Sequence, residues 1–161
     1  MGCGSGGSFF NWNGKFLPHG VEISAALAQQ ADGAARAHGG YVVHANAIEG
    51  VGKFPANFFP AVALHSFLEH EVNPSGLLRA LLPVVAPGGR VIIKVPNYGS
   101  INRRVRAEKW CGFRFPDHVN YFTPQSLRRI VTESGFAIAR FGLRDHLPLS
   151  DSMWMVAAKP G

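Results

Sequence analysis

Apolar residues along the chain fall into two rhythms that alternate: short β-branched runs, and longer stretches with helical spacing. The short runs are 17–23, 41–45, 61–66 and 90–95. The last of them, Arg-Val-Ile-Ile-Lys-Val, has the content of a buried parallel strand. Between them, 25–38 is rich in Ala and Gln and stops at Gly39-Gly40. It follows Ser24, whose hydroxyl can accept from the free amides of a helix's first turn. A second helix is predicted over 74–85, closed by Pro87-Gly88-Gly89. A third is predicted over 124–134, capped by Thr123, with Pro124 at its first position and Gly135 just beyond its end. A glycine-rich turn at 2–7 with a helix start over 8–13 opens the chain, and strands over 137–143 and 153–158 close it. Residues 97–122 have turn residues, aromatics and basic charge but no clear period, and read as an insertion or lid. Strands alternating with helices predict an α/β fold, doubly wound, with a mostly parallel sheet, helices on both faces and a C-terminal antiparallel hairpin.

A length of 161 residues leaves room for one domain, 1–161, and 47% hydrophobic with 16% charged residues is not the composition of a disordered chain. No apolar run of about 18 residues argues for a membrane span, and the N-terminus lacks the basic start and apolar block of a signal peptide. Two cysteines, Cys3 and Cys111, are too few for a disulfide scaffold or a four-ligand zinc site and fit a reducing, cytoplasmic location. Charge is uneven: residues 1–78 carry net −2 and residues 79–161 net +8, densest at Arg103, Arg104, Arg106, Lys109 and Arg114. A nucleic acid, an anionic small substrate, a membrane surface or a plain solvated face all fit that half, and charge alone does not choose between them.

The first chemical signal is Gly2-Cys3-Gly4-Ser5-Gly6-Gly7. Glycines allow a tight strand-to-helix turn and let backbone approach a ligand where a side chain would clash. Sixteen residues after Gly6 stands Glu22, at the end of a predicted strand, where a carboxylate can accept from both hydroxyls of a ribose. The pair suggests an adenosine-containing cofactor. Gly2, Gly4 and Gly7 also satisfy the dinucleotide pattern, and a glycine turn without a ligand remains open.

Further segments follow in order: Gly-Val-Glu-Ile-Ser at 20–24, Leu-Glu-His at 68–70, Leu-Leu-Pro-Val-Val-Ala-Pro-Gly-Gly-Arg-Val-Ile-Ile-Lys-Val-Pro-Asn at 81–97, and Pro-Asp-His-Val-Asn-Tyr-Phe-Thr-Pro-Gln-Ser-Leu at 116–127. Together they resemble the class I S-adenosylmethionine-dependent methyltransferases, in the branch of ubiquinone-type O-methyltransferases and of sugar and cell-envelope methyltransferases. The resemblance covers nearly the whole chain and implies a Rossmann-like fold and S-adenosylmethionine as cofactor. It implies that Gly2, Gly4 and Gly6 line the methionine part, that Glu22 holds the ribose and that Ile23 packs on adenine. Asn46 would contact the adenine amino group in place of the usual Asp, and His65 would lie beside the cofactor. In the family an apolar strand precedes the glycine loop. Here Met1 stands next to that loop, so the first strand is missing, and an N-terminally truncated chain that folds poorly and binds cofactor weakly is expected.

Methyl transfer from a sulfonium needs alignment above all, and a general base when the nucleophile is a hydroxyl. His118, in the Pro-x-His motif, is the candidate base, with fixing of the loop as its alternative role. Tyr121 is a candidate substrate residue, and Arg103 and Arg104 would favour an anionic small-molecule acceptor. Glu69 and His70 form a second constellation. The ubiquinone-type enzymes carry a further Glu where this chain has Ser66, and a hydroxyl is a poor ligand beside a carboxylate, so no metal is expected. Phe9, Phe10, Phe58, Phe59, Phe67 and Trp154 read as core, while Trp110 and Phe113 could shape a substrate pocket. The leading expectation is a methyltransferase acting on oxygen of a small molecule, with no nucleic-acid partner and no membrane span. An inactive fragment of such an enzyme and a basic nucleic-acid-binding protein are the alternatives.

Overall fold

The computed structural model describes residues 1–7 and 16–161. The expected helix start over 8–13, with Phe9 and Phe10, lies outside them. The described chain divides into two compact units, Met1–Pro55 and Ala56–Gly161.

In the first unit, β1 (His19–Glu22) and β2 (Tyr41–His44) pair in parallel, Val21 opposite Val43, with α1 (Ala25–Arg36) between them in sequence. Ser24 caps α1 as expected, its side chain accepting from the Leu27 amide. The buried face of α1 is Ala28, Ala31 and Ala35, small residues that let a helix approach its neighbours closely. Asp32 fastens the unit: one carboxylate oxygen accepts from the Val42 amide at 2.8 Å and the other pairs with Arg36 at 2.6 Å. The Val42 amide first, and Arg36 after it, hold that carboxyl below its ordinary range. A short helix, α2 (Ala47–Val51), follows β2 and was not expected. Its Gly50 rests on β1, where a Cβ would come within 2.3 Å of the Val21 side chain.

The second unit holds β3 (Phe59–His65), α3 (Pro74–Val84), β4 (Val85–Pro96), α4 (Ile101–Arg106), α5 (Pro124–Glu133), β5 (Ala137–Arg140) and β6 (Ser152–Ala158). The strand order is β3-β4-β6-β5. β3 and β4 run parallel, and β6 is antiparallel to both β4 and β5, which makes the C-terminal hairpin. The expected mixed α/β architecture is therefore present. Phe59 pairs with Val85 and Ala61 with Arg90, so the Pro87-Gly88-Gly89 turn loops out of the register. The core is built from Val91, Ile93 and Val95 of β4, Met153 and Met155 of β6, Leu77, Leu78 and Leu81 of α3, and Leu127 and Val131 of α5. Thr123 and Ser126 form a reciprocal capping box at the start of α5.

Three expectations need correcting. β4 is not buried on both faces: Val91, Ile93 and Val95 are buried while Ile92 is exposed, the alternation of a sheet covered on one side. Trp154, on the same open face of β6, is 43% exposed and is not core, and Phe58 is likewise exposed. Residues 97–122, expected to lack periodic structure, contain α4 and a 3-10 turn, Ala107–Lys109. Among the described residues, no helix is long and apolar enough to cross a membrane.

Candidate functional site

In the first unit the loop at 2–7 is shaped by glycines. Gly2, Gly4 and Gly6 sit at φ of 57°, 55° and 84°, the left-handed region that side chains rarely enter. A Cβ on Gly4 would meet nothing within 4 Å, so backbone angle rather than crowding demands glycine there. The Gly2 amide donates to the Val21 carbonyl at 2.9 Å, fixing the loop on β1.

Glu22 ends β1 and is only 7% exposed. One of its oxygens accepts from the Gly4 amide at 2.9 Å and the other from the Ser24 amide at 3.0 Å. A carboxylate offers about four lone-pair sites, so each oxygen keeps one for a further donor. The adjacent Ile23 is 71% exposed, an apolar side chain left open beside that carboxylate. Asn46 is exposed and caps α2, its Oδ1 accepting from the Glu49 amide at 3.0 Å. That capping duty was not read from the sequence, because a five-residue helix shows no periodicity.

In the second unit, the turn after β3 and the loop at 117–120 are strapped together. The Glu69 carbonyl accepts from the Val119 and Asn120 amides at 2.9 and 3.1 Å. The Asn120 side chain donates to the carbonyls of Leu68 and Glu71. This clamp brings Glu69, His70 and His118 together, one ligand atom from each lying within 4.8 Å of the others. His118 is 6% exposed and Glu69 1%. The two imidazoles meet edge to face, centroids 4.6 Å apart. His118 Nδ1 is 2.8 Å from the Gly112 carbonyl, and His70 Nδ1 is 2.8 Å from the Asp117 carbonyl. A carbonyl only accepts, so each Nδ1 carries a proton, and in the neutral ring that tautomer leaves the lone pair on Nε2. Burial pushes the Glu69 carboxyl up, while its own backbone amide and the imidazoles of His70, His118 and His65 pull it back. Its Oε2 is buried and has no hydrogen-bond partner. The sequence singled out all three residues but gave no sign that they converge.

The other expected residues separate. His65 is exposed at the end of β3, its ring 5.4 Å from that of Trp154. Arg103 is half-buried, its guanidinium 4.1 Å above the Tyr98 ring and donating to the Tyr98 hydroxyl, with its Nε buried and unpartnered. Arg104 points to solvent. Tyr121 is half-buried, its ring 5.6 Å from Tyr98 and 5.3 Å from Phe113. Tyr98 was missed, since nothing in the sequence marks it as the partner of Arg103. Trp110 is 2% exposed and donates through Nε1 to Asp151 at 2.7 Å. It belongs to the core instead of lining a pocket. An open recess of about 350 Å³ is lined by Arg140, Arg144, Asp145, Trp154 and Val156 and by none of the expected site residues.

A family model described as a methyltransferase domain matches residues 1–140. No curated protein matches the chain in sequence. Among solved structures, a SAM-dependent methyltransferase from Archaeoglobus fulgidus is similar over 98% of this chain and 83% of its own, at 19% identity and a TM-score of 0.73. A SAM-dependent methyltransferase from Methanosarcina mazei is similar over 99% and 90%, at 19% identity and a TM-score of 0.70. The cyclase SpnF is similar over 99% and 73%, at 18% identity and a TM-score of 0.69. At these identities the likeness concerns the fold, which a cyclase shares, so the fold by itself does not fix the reaction.

Proposed function

The chain belongs to the methyltransferase domain family, and from that premise we propose that it moves a methyl group from S-adenosylmethionine to an oxygen of a small anionic acceptor. The observation that supports this most is Glu22, whose two oxygens rest on the Gly4 and Ser24 amides while each keeps a lone pair for a ribose hydroxyl. When bound, the cofactor supplies an electrophilic methyl on a sulfonium. Gly2, Gly4 and Gly6 offer backbone to its methionine part, exposed Ile23 offers an apolar surface to adenine, and Asn46 Oδ1 has a lone pair for the adenine amino group. The resemblance adds His65 to the cofactor residues.

On the acceptor side, His118 Nε2 would take the proton of the acceptor hydroxyl as that oxygen is methylated. The Nδ1–H bond to Gly112 holds the tautomer this requires. Tyr121 borders the acceptor, and Arg103 with Arg104 supplies charge for an anionic group. Oxygen is favoured over nitrogen because a hydroxyl needs the base most. The Leu-Glu-His and Pro-x-His segments support the ubiquinone-type branch.

Thermal unfolding with and without S-adenosylhomocysteine tests the cofactor. A ligand at a hundredfold excess over its Kd adds about 2.7 kcal/mol, roughly 5–10 °C for a chain this size. Glu22→Gln is expected to remove most of that rise, and an unshifted wild type would overturn the reading. A second expectation separates the two arginines. Only Arg103 has a buried, unpartnered Nε to offer an anion. A charge-assisted hydrogen bond contributes about 1.5–3 kcal/mol, so Arg103→Ala is expected to raise the acceptor KM roughly tenfold or more. Exposed Arg104→Ala changes it far less. Steady-state kinetics decide, and equal effects would mean that the field of the basic face matters and the position of Arg103 does not.

A further inference from the structure

The open face of the second unit's sheet carries a surface that methyl transfer leaves unused. Residues opposite one another on neighbouring strands point to the same side. Lys94 stands opposite Trp154, and Val156 is flanked by Ile92 on one strand and Arg140 on the other. Trp154 and Val156, two positions apart on β6, share that side. The result is an apolar floor with Trp154 and Ile92 exposed and cations around it. Lys94 Nζ lies 5.2 Å from the indole centroid. On the far flank Arg144 joins Arg140, Asp145, Trp154 and Val156 in lining the recess of about 350 Å³.

Charge in this recess is unbalanced. Asp145 is its one carboxylate, and that group is already engaged: it accepts from Arg140 Nε at 3.0 and 3.3 Å and from the Gly142 amide at 2.9 Å. Arg144 forms no ion pair with any described residue. An exposed indole beside a free guanidinium suits a ligand that is flat at one end and anionic at the other. The indole stacks on a planar ring, and the guanidinium fork matches a phosphate bidentately. The volume lies at the small end of the roughly 300–1,000 Å³ typical of ligand sites. A surface for nucleic-acid strands stacks successive bases on successive rings, whereas a single indole lines this recess. We propose that the recess binds a free nucleoside monophosphate, with the base against Trp154 and the phosphate on Arg144. None of the residues assigned to the methyl donor or the acceptor lines it, so the proposal stands apart from methyl transfer.

The full chain is titrated with guanosine monophosphate and followed by quenching of tryptophan emission, with calorimetry for stoichiometry. One nucleotide per chain is expected, bound equally well in saturating S-adenosylhomocysteine and in Glu22→Gln. Guanosine lacks the phosphate and inorganic phosphate lacks the base, so each is expected to bind at least about tenfold more weakly. Trp154→Ala removes the stacking surface and Arg144→Gln the fork. Each is expected to weaken binding about tenfold or more, and Trp154→Ala also removes the quench. Arg79→Gln, an equal loss of charge at an exposed position of α3, changes affinity little. Arg144 is exposed, so its variant keeps the test open if Trp154→Ala unfolds. No binding, unchanged affinity in Arg144→Gln, equal weakening by Arg79→Gln, or displacement by S-adenosylhomocysteine would overturn the proposal. So would a single-stranded oligouridylate that binds far more tightly than the mononucleotide and is released steeply by salt. Neither recess variant is expected to alter stabilisation by S-adenosylhomocysteine, so failure of this site and failure of the methyl-transfer reading are told apart.

Discussion

Replacing His118 with asparagine is expected to lower kcat for methyl transfer by about 10²–10⁴-fold, the usual contribution of a positioned general base. Asparagine is the informative substitution. Its amide can still donate to the Gly112 carbonyl that now takes Nδ1–H at 2.8 Å, so the loop keeps its anchor while the Nε2 lone pair disappears. An interaction made only in the transition state lowers kcat and kcat/KM together. KM and the stabilisation by S-adenosylhomocysteine should therefore hold near wild type. Alanine at the same place removes the anchor too and leaves the Gly112 carbonyl unpaired, so a loss of stability accompanies the loss of rate. If asparagine restores full turnover and alanine only destabilises, His118 is a strut for the 112–120 loop, and the proton goes elsewhere.

The two roles of His118 show where sequence reasoning reaches and where it stops. Local signals were legible: Ser24 and Thr123 capped the helices they were expected to cap, and α1 ended just short of the Gly39-Gly40 stop. The turn of the glycine loop and the place of Glu22 at the end of β1 also showed in the sequence, but the Gly4 amide that Glu22 accepts from lies 18 residues away and no local signal announced that pairing. What depended on distant partners was not legible. The amides of Val119 and Asn120 reach a carbonyl about fifty residues back, and no spacing rule announces such a pairing. Arg103 and Arg104 carry equal charge in sequence. Neighbours in a helix point in different directions, and only Arg103 lies over Tyr98. Trp154 misled because aromatic content was read as burial. On a strand covered on one side, alternate residues face outward whatever their size.

The largest expected loss of stability comes from Trp110, and it decides what kind of element residues 97–122 form. The indole is 2% exposed, lies 5.4 Å from the Phe113 ring and 6.1 Å from Tyr98, and donates to Asp151 at 2.7 Å. Asp151 directly precedes β6, and the same stretch takes further bonds from this segment. The Asn97 amide donates to the Asp151 carbonyl, Ile101 to Pro148, and the Asn102 side chain to Leu149. A lid that opens and closes would show few such ties, since mobile segments come from the low-stability end of a structure. Trp110→Ala is therefore expected to cost about 3–5 kcal/mol in urea unfolding, a large part of the 5–15 kcal/mol typical of a domain. Trp110→Phe keeps most of the volume and strands Asp151 without the indole N–H, so its cost should be smaller, about 1–3 kcal/mol. Because Tyr98 and Phe113 lean on the indole and Arg103 leans on Tyr98, the alanine variant should also raise the acceptor KM. A Trp110→Ala protein that unfolds at the wild-type urea concentration would instead make the segment a lid. With the expected loss, it is a fixed wall beside the residues proposed for the acceptor, tied to the 148–151 loop that leads into β6.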